Sequence, residues 1–243
     1  MDISNWKQFN HKVKAGRTTK KYFSKYLYKL SVYAPASRLA EHGGSIKTAL
    51  GDRRYEAANA SWVPSWNRDL DKADVSFLEV LREIRANTES SIKMTIAEPK
   101  VNFYAATEKE LLDLVSKKFD KSHYQYVTDV SGPESEEAKT LLNSGAIIRR
   151  NTQGYTHKVI LRDGQYTQEV KTNLLNYLDS LGSDLIKIPG NLKKQLDRIS
   201  TRPTGYMWGI YFYTNDPSVA TFVNIIHPTL VSKCHELAIL DAK

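Results

Sequence analysis

Ten consecutive residues, Lys20 to Lys29, interleave four lysines with four aromatic rings. Single-stranded nucleic acid calls for those two residue types together: ammonium groups for the phosphates and ring faces for unpaired bases. In this stretch Lys20, Lys21, Lys25 and Lys29, helped by Arg17, supply the cations, and Tyr22, Phe23 or Tyr26 supplies a stacking surface. Two further basic sets lie downstream. Arg149, Arg150, Lys158 and Arg162 form one, and Lys187, Lys193, Lys194, Arg198 and Arg202 form the other. The expectation is a protein that binds single-stranded RNA or DNA, or another polyanion, with no catalytic activity and no cofactor.

The placement of charge supports this reading. The 243-residue chain carries a net charge of +8. Residues 1–30 hold eight Lys or Arg and one acid, Asp2, so that segment carries +7 and the rest of the chain +1. A local excess points to a polyanionic partner more directly than a uniform one does. A solvated basic tail would have the same composition, and core packing competes with base stacking for every tyrosine.

Other chemistries find less material. The six histidines include no pair at i,i+3 or i,i+4 spacing, so no helical metal-ligand pair is expected. A magnesium-dependent nuclease needs carboxylates for the ion and a lysine beside the attacked phosphate. Asp163 with Glu169-Val170-Lys171 has those residue types, but a turn at Asp163-Gly164 followed by a helix accounts for them. The glycine-rich phosphate-loop patterns do not occur. The single Cys234 excludes an intramolecular disulfide framework. No apolar run approaches the roughly 18 residues of a membrane span, and the segment from Met1 to Trp6 lacks the apolar core of a signal peptide. The expectation is a soluble cytoplasmic protein with no membrane partner. A competing reading makes it a structural or assembly protein, its aromatic strands packing protein partners or further copies of itself. A metal-dependent nuclease is the third.

Periodicity supplies the elements that position these groups. Tyr206 to Tyr213 is the strongest strand signal, aromatic and uncharged. Asp216 and Pro217 then open a helix with Val219, Phe222, Val223 and Ile226 on one face, and Leu230, Val231, Cys234, Leu237 and Ala238 read as a second helical face. Gly205-Tyr206-Met207-Trp208 resembles the aromatic RNA-binding strand of RRM domains, from which Met207 and Gly209 depart. Residues 1–21 lack clean periodicity and read as a mobile basic arm. Tyr22 to Tyr33 reads as an edge or solvent-facing strand, with Tyr26, Tyr28, Leu30 and Val32 opposite a lysine face. A helix is expected over 45–50, and Trp62-Val63-Pro64-Ser65-Trp66 sets two rings around a proline. Asp71 or Asp74 caps a helix with Val75, Leu78, Leu81 and Ile84 inward. Residues 92–97 and 101–105 read as paired strands, and Thr107 with Glu110 forms a capping box for a helix to Lys118. A strand over 124–130, a helix opening at 131–134, and a hairpin of 146–150 with 155–161 follow. After it come a helix with Val170, Leu174, Tyr177, Leu178 and Leu181 inward, a short strand over 185–188, and a basic helix over 191–199. This order predicts an α+β fold over 22–243 with antiparallel sheets and helices on one face; a single domain, or two ferredoxin-like halves divided near 120–132, would satisfy it. Val101-Asn102-Phe103-Tyr104 before Thr107 echoes Ile210-Tyr211-Phe212-Tyr213 before Asp216.

Overall fold

The structure is a computed structural model that describes residues 1–41, 46, 72–87, 91–198 and 204–240. The expected helix over 45–50 apart from Ile46, the Trp62–Trp66 pair, Asp71 and Arg202 lie outside the described residues. The chain is α+β and divides into two compact units, Met1–Lys139 and Thr140–Lys243. The division falls C-terminal to the expected 120–132.

The first unit is built on β1 (Lys14–Arg17), β2 (Tyr28–Tyr33), β3 (Lys93–Ala97), β4 (Lys100–Ala105) and β5 (Val127–Gly132), in the spatial order β1-β5-β2-β4-β3. Neighbours are antiparallel except β1, which runs parallel to β5. Among the described residues its α-helices are α1 (Ser4–Lys7), α2 (Lys72–Ala86) and α3 (Glu108–Lys118). Alternation gives the sheet one apolar face. Leu30, Val32, Val101, Phe103 and Val130 are fully buried on it. Phe77, Leu78, Leu81 and Ile84 of α2 and Leu111 and Val115 of α3 are buried at helical spacing. Helix α3 starts where its capping box requires: the Thr107 N–H donates to Glu110 Oε2 over 2.8 Å, and the Glu110 N–H donates to Thr107 Oγ1 over 3.3 Å. Among the described residues the path β2-α2-β3-β4-α3-β5 is a β-α-β-β-α-β run whose four strands lie in the order fourth, first, third, second.

Several expectations need correction here. Residues 1–21 are not an arm separate from the fold. Trp6 of α1 is completely buried, and β1 pairs with β5 through Lys14–Asp129 to Arg17–Gly132. The strand expected from Tyr22 begins only at Tyr28. Phe23 and Ser24 take φ of +52° and +60°, left-handed backbone that cannot continue a strand, and they close a turn bridged from Tyr22 to Tyr26. Strand β2 is central rather than an edge. Val75 is only half-buried. Residues 121–126 form a 3-10 helix, so the strand expected from 124 starts at Val127. Helix α4 (Glu136–Asn143) opens later than expected, with Ser135 Oγ accepting from the Ala138 N–H over 3.0 Å.

The second unit contains β6 (Ile147–Arg149), β7 (His157–Leu161), β8 (Gly164–Thr167), α5 (Gln168–Ser180), β9 (Ile186–Lys187), α6 (Gly190–Asp197), β10 (Thr204–Met207), β11 (Tyr211–Thr214), α7 (Ser218–Ile226) and β12 (Val231–Ile239). Its five-stranded sheet runs β6-β12-β7-β11-β9, and β8 pairs with β10 in a separate ribbon. Val159, Leu174, Leu178, Phe212, Val223 and Leu230 are fully buried in its core.

Residues 231–239, expected as helix, form β12. Their apolar spacing suits either state, and the slot between β6 and β7 decides it by pairing the backbone groups on both sides. For the same reason 146–150 and 155–161 are not a hairpin, since β12 lies between them. The expected strand Tyr206–Tyr213 is two strands, broken at Trp208-Gly209-Ile210 where Gly209 takes φ +61°. Strand β8 intervenes between the Asp163 turn and α5, which Thr167 caps through the Val170 N–H. On α7, Phe222 is exposed rather than inward.

Candidate nucleic-acid interface

The face of the first sheet opposite its helices is polar. Directly paired residues on neighbouring strands share a face, so the register places Lys29 (β2), Tyr104 (β4) and Lys93 (β3) in one row, with Ser131 (β5) beside Lys29. The next row is Asp129, Ser31, Asn102 and Thr95. A trench of about 410 Å³ runs over this face, lined by Lys14, Lys29, Lys100, Asn102 and Ser131 among others.

The turn before β2 folds onto the row. The rings of Tyr22, Phe23 and Tyr26 lie 5.2, 5.0 and 6.5 Å from that of Tyr104, leaving Tyr104 9% exposed as the anchor of the cluster. Phe23 is the ring turned outward, 54% exposed, with Lys93 Nζ 4.1 Å from its centroid. Lys29 Nζ stands 5.8 Å over Tyr22. A bulky residue at positive φ costs about 1–2 kcal/mol, so the ring cluster holds Phe23 where an isolated chain would not.

One acid tempers this face. Lys100 Nζ is 3.0 Å from Asp129 Oδ2. Burial alone would raise the Asp129 carboxyl, but the hydrogen bonds from Lys100 and Thr128, with the charges of Lys100 and Lys14, hold it below the ordinary carboxylate range.

The residues singled out in the sequence therefore have different fates. Lys29, Tyr22 and Phe23 join the cluster. Tyr26 is buried in it and offers no free face, which corrects its assignment as a stacking ring. Lys25 lies in the turn, over Tyr26 at 5.2 Å, and shares no strand face with Lys29. Lys20 is exposed and Lys21 half-buried just ahead of the turn. Arg17 ends β1 and pairs with Glu134 over 2.8 Å. In the second unit Arg149 ends β6, the exposed Arg150 follows it, and Lys158 lies on β7. Arg162 lies just beyond β7, its backbone N–H donating to Leu230 O over 2.8 Å. They do not share one hairpin. Lys93, Lys100, Lys14 and Tyr104 were not singled out, because only cross-strand register brings them together.

A second aromatic feature stands on the β10–β11 break. Tyr206 and Trp208 stack with centroids 6.2 Å apart and are 55% and 53% exposed. Gln195 of α6 locks the loop, its Nε2 donating to Trp208 O over 3.0 Å and its Oε1 accepting from the Trp208 N–H over 2.9 Å.

The residue types of a nuclease are occupied otherwise. Asp163 Oδ1 accepts from the Gly209 N–H over 2.7 Å, Glu169 is exposed in the first turn of α5, and Lys171 is buried. Among the described residues, no group of three or more His, Cys, Asp or Glu side chains is placed to hold a metal ion, and no helix is long and apolar enough to cross a membrane. The chain matches no family model, no curated protein and no solved structure.

Proposed function

We propose that this protein binds single-stranded nucleic acid on the open face of its first sheet, without catalysing a reaction on it, and that each unit is a ferredoxin-like half. The observation that carries this reading is the row Lys29–Tyr104–Lys93, with the exposed Phe23 ring beneath Lys93 Nζ. The two lysines stand two interstrand spacings apart, about 10 Å, so both can face one phosphate backbone. Phe23 offers a ring face of the kind on which unpaired bases stack, and sequence-tolerant stacking needs no base-edge readout.

The test is a titration of labelled single-stranded RNA, single-stranded DNA and duplex of one sequence at several salt concentrations. Binding of a single strand that weakens linearly in log–log salt is expected, with weaker binding of duplex. Absence of single-strand binding at low salt overturns the reading. A second reading, assembly through protein contacts, draws on the apolar outer side of α7, where Phe222 is 52% and Ile225 72% exposed. Sedimentation of the protein alone tests it, since self-association is expected on that reading.

A further inference from the structure

We propose that the second sheet carries a second single-strand site, built as a copy of the first. The inference rests on the reading of the first sheet given above. Its ground is a correspondence of path and register. In the second unit β7-α5-β9-β11-α7-β12 repeats the β-α-β-β-α-β run, again in the order fourth, first, third, second. In both sheets an additional strand, β1 or β6, runs parallel to the fourth.

Side chains repeat at matching positions. Tyr213 of β11 pairs with Lys158 of β7 on one side and Lys187 of β9 on the other, as Tyr104 pairs with Lys29 and Lys93. The residue before each tyrosine, Phe103 or Phe212, is fully buried. Three residues after each tyrosine stands a residue whose side chain accepts a backbone N–H at the start of the following helix, Thr107 as its N-cap and Asp216 one residue ahead of the Pro217 N-cap. Thr107 accepts from the Glu110 N–H, and Asp216 accepts from the Ser218 N–H over 2.8 Å. In both units a ring from the segment leading into the first strand of the run covers the tyrosine. Tyr22 does so in one, and Tyr155, with its centroid 6.3 Å from that of Tyr213, does so in the other.

Core packing explains the buried phenylalanines. It does not explain a lysine on each side of an outward-facing tyrosine in two separate sheets. On the second sheet the row also places a cation against a ring: Lys158 Nζ lies 3.5 Å from the Tyr211 centroid. Lys158 and Lys187 take phosphates here, and Tyr211 supplies the ring. Divergence elsewhere, with β8 inserted between β7 and α5 and with α6 and β10 inserted between β9 and β11, leaves this row in place.

The test counts sites. Oligothymidylate and oligouridylate of about six nucleotides, short enough for one small binding face, are titrated calorimetrically into the full chain at low salt. Two equivalents are expected for the wild type, and one each for K158Q/K187Q and for K29Q/K93Q. If K158Q/K187Q does not fold, K187Q alone at an exposed position gives the same reading as a weakened second equivalent. One equivalent in the wild type, indifferent to Lys158 and Lys187 but lost in K29Q/K93Q, overturns the second site and leaves the first. No binding of either oligonucleotide overturns the reading of the first sheet and the second site with it.

Discussion

The indole Nε1 of Trp6 donates to Glu108 Oε1 over 2.8 Å, joining α1 to the first turn of α3 across 102 positions of sequence. Around it Phe9 meets Tyr124 edge-on at 4.9 Å, and Asn10 Nδ2 donates to Val127 O over 2.8 Å. The N-terminal residues are thus part of the first unit's core. Trp6→Ala is expected to cost about 3–5 kcal/mol, the usual loss for a buried tryptophan. Deleting residues 1–21 removes that contact and β1 as well, and is expected to leave the first unit unfolded. Urea denaturation followed by circular dichroism checks both. A truncated protein as stable as the full chain would return the segment to the status of an arm.

Acid is expected to weaken the same unit through His123. Its side chain is completely buried, hydrogen-bonded to Ser76 Oγ through Nε2 and accepting the Asp120 N–H at Nδ1. Burial pushes its pKa below the ordinary value, against the charge of Asp120. Above the unfolded value of about 6.5 the residue is neutral in both states and the stability is intact. As pH falls below that, the unfolded chain takes a proton the folded one refuses, so stability is lost toward the depressed folded pKa. The slope is at most about 1.4 kcal/mol per pH unit for one proton. His123→Gln is expected to flatten the dependence of urea midpoint on pH between about 7 and 5. An unchanged profile would place the titrating group elsewhere.

On the proposed reading of the open face, Asp129 opposes anion binding, because it occupies Lys100 and lies within the field of Lys14. Asp129→Asn is expected to raise single-strand affinity about two- to five-fold at physiological salt, the scale of one exposed charge pair. The salt slope should steepen by about 0.7 if the released Lys100 meets a phosphate. Anisotropy titrations at several salt concentrations measure both. A fall in affinity would mean that Asp129 positions the face rather than tempers it.

Local signals made part of this legible from sequence. The capping box Thr107-Glu110 and the alternation of 92–105 fixed α3, β3 and β4 because the groups involved lie within a few residues of one another. Strand β12 was not legible, since its partners β6 and β7 lie far away in sequence and its apolar spacing fits helix as well as strand. The site followed the same rule. Lys29 and Phe23 stood out within one short basic-aromatic stretch. Tyr104 carried no site signal of its own, because its two lysines come from other strands and meet it only through register. The positive φ of Phe23 and Ser24 had no sequence signal, neither residue being the glycine or asparagine that usually marks such a turn.

If the open face of the first sheet binds a single strand, charge and stacking on it are expected to make separable contributions. Lys29 and Lys93 flank Tyr104 from the two neighbouring strands without belonging to the buried face. Replacing both with Gln removes two charges and leaves the core of Leu30, Val101 and Phe103 untouched, so the thermal midpoint should hardly move. If each meets a phosphate on a single strand, the slope of log affinity against log salt falls by about 0.7 per lysine. Phe23→Ala removes a ring that is already half in solvent. It is expected to weaken single-strand binding by about 1–3 kcal/mol if one base stacks there, with no change in the salt slope, because no charge is lost. The two variants are titrated side by side with the wild type over the same salt series. A slope unchanged in K29Q/K93Q would remove these lysines from the interface. A Phe23→Ala protein that binds like wild type would leave the face as a purely electrostatic surface.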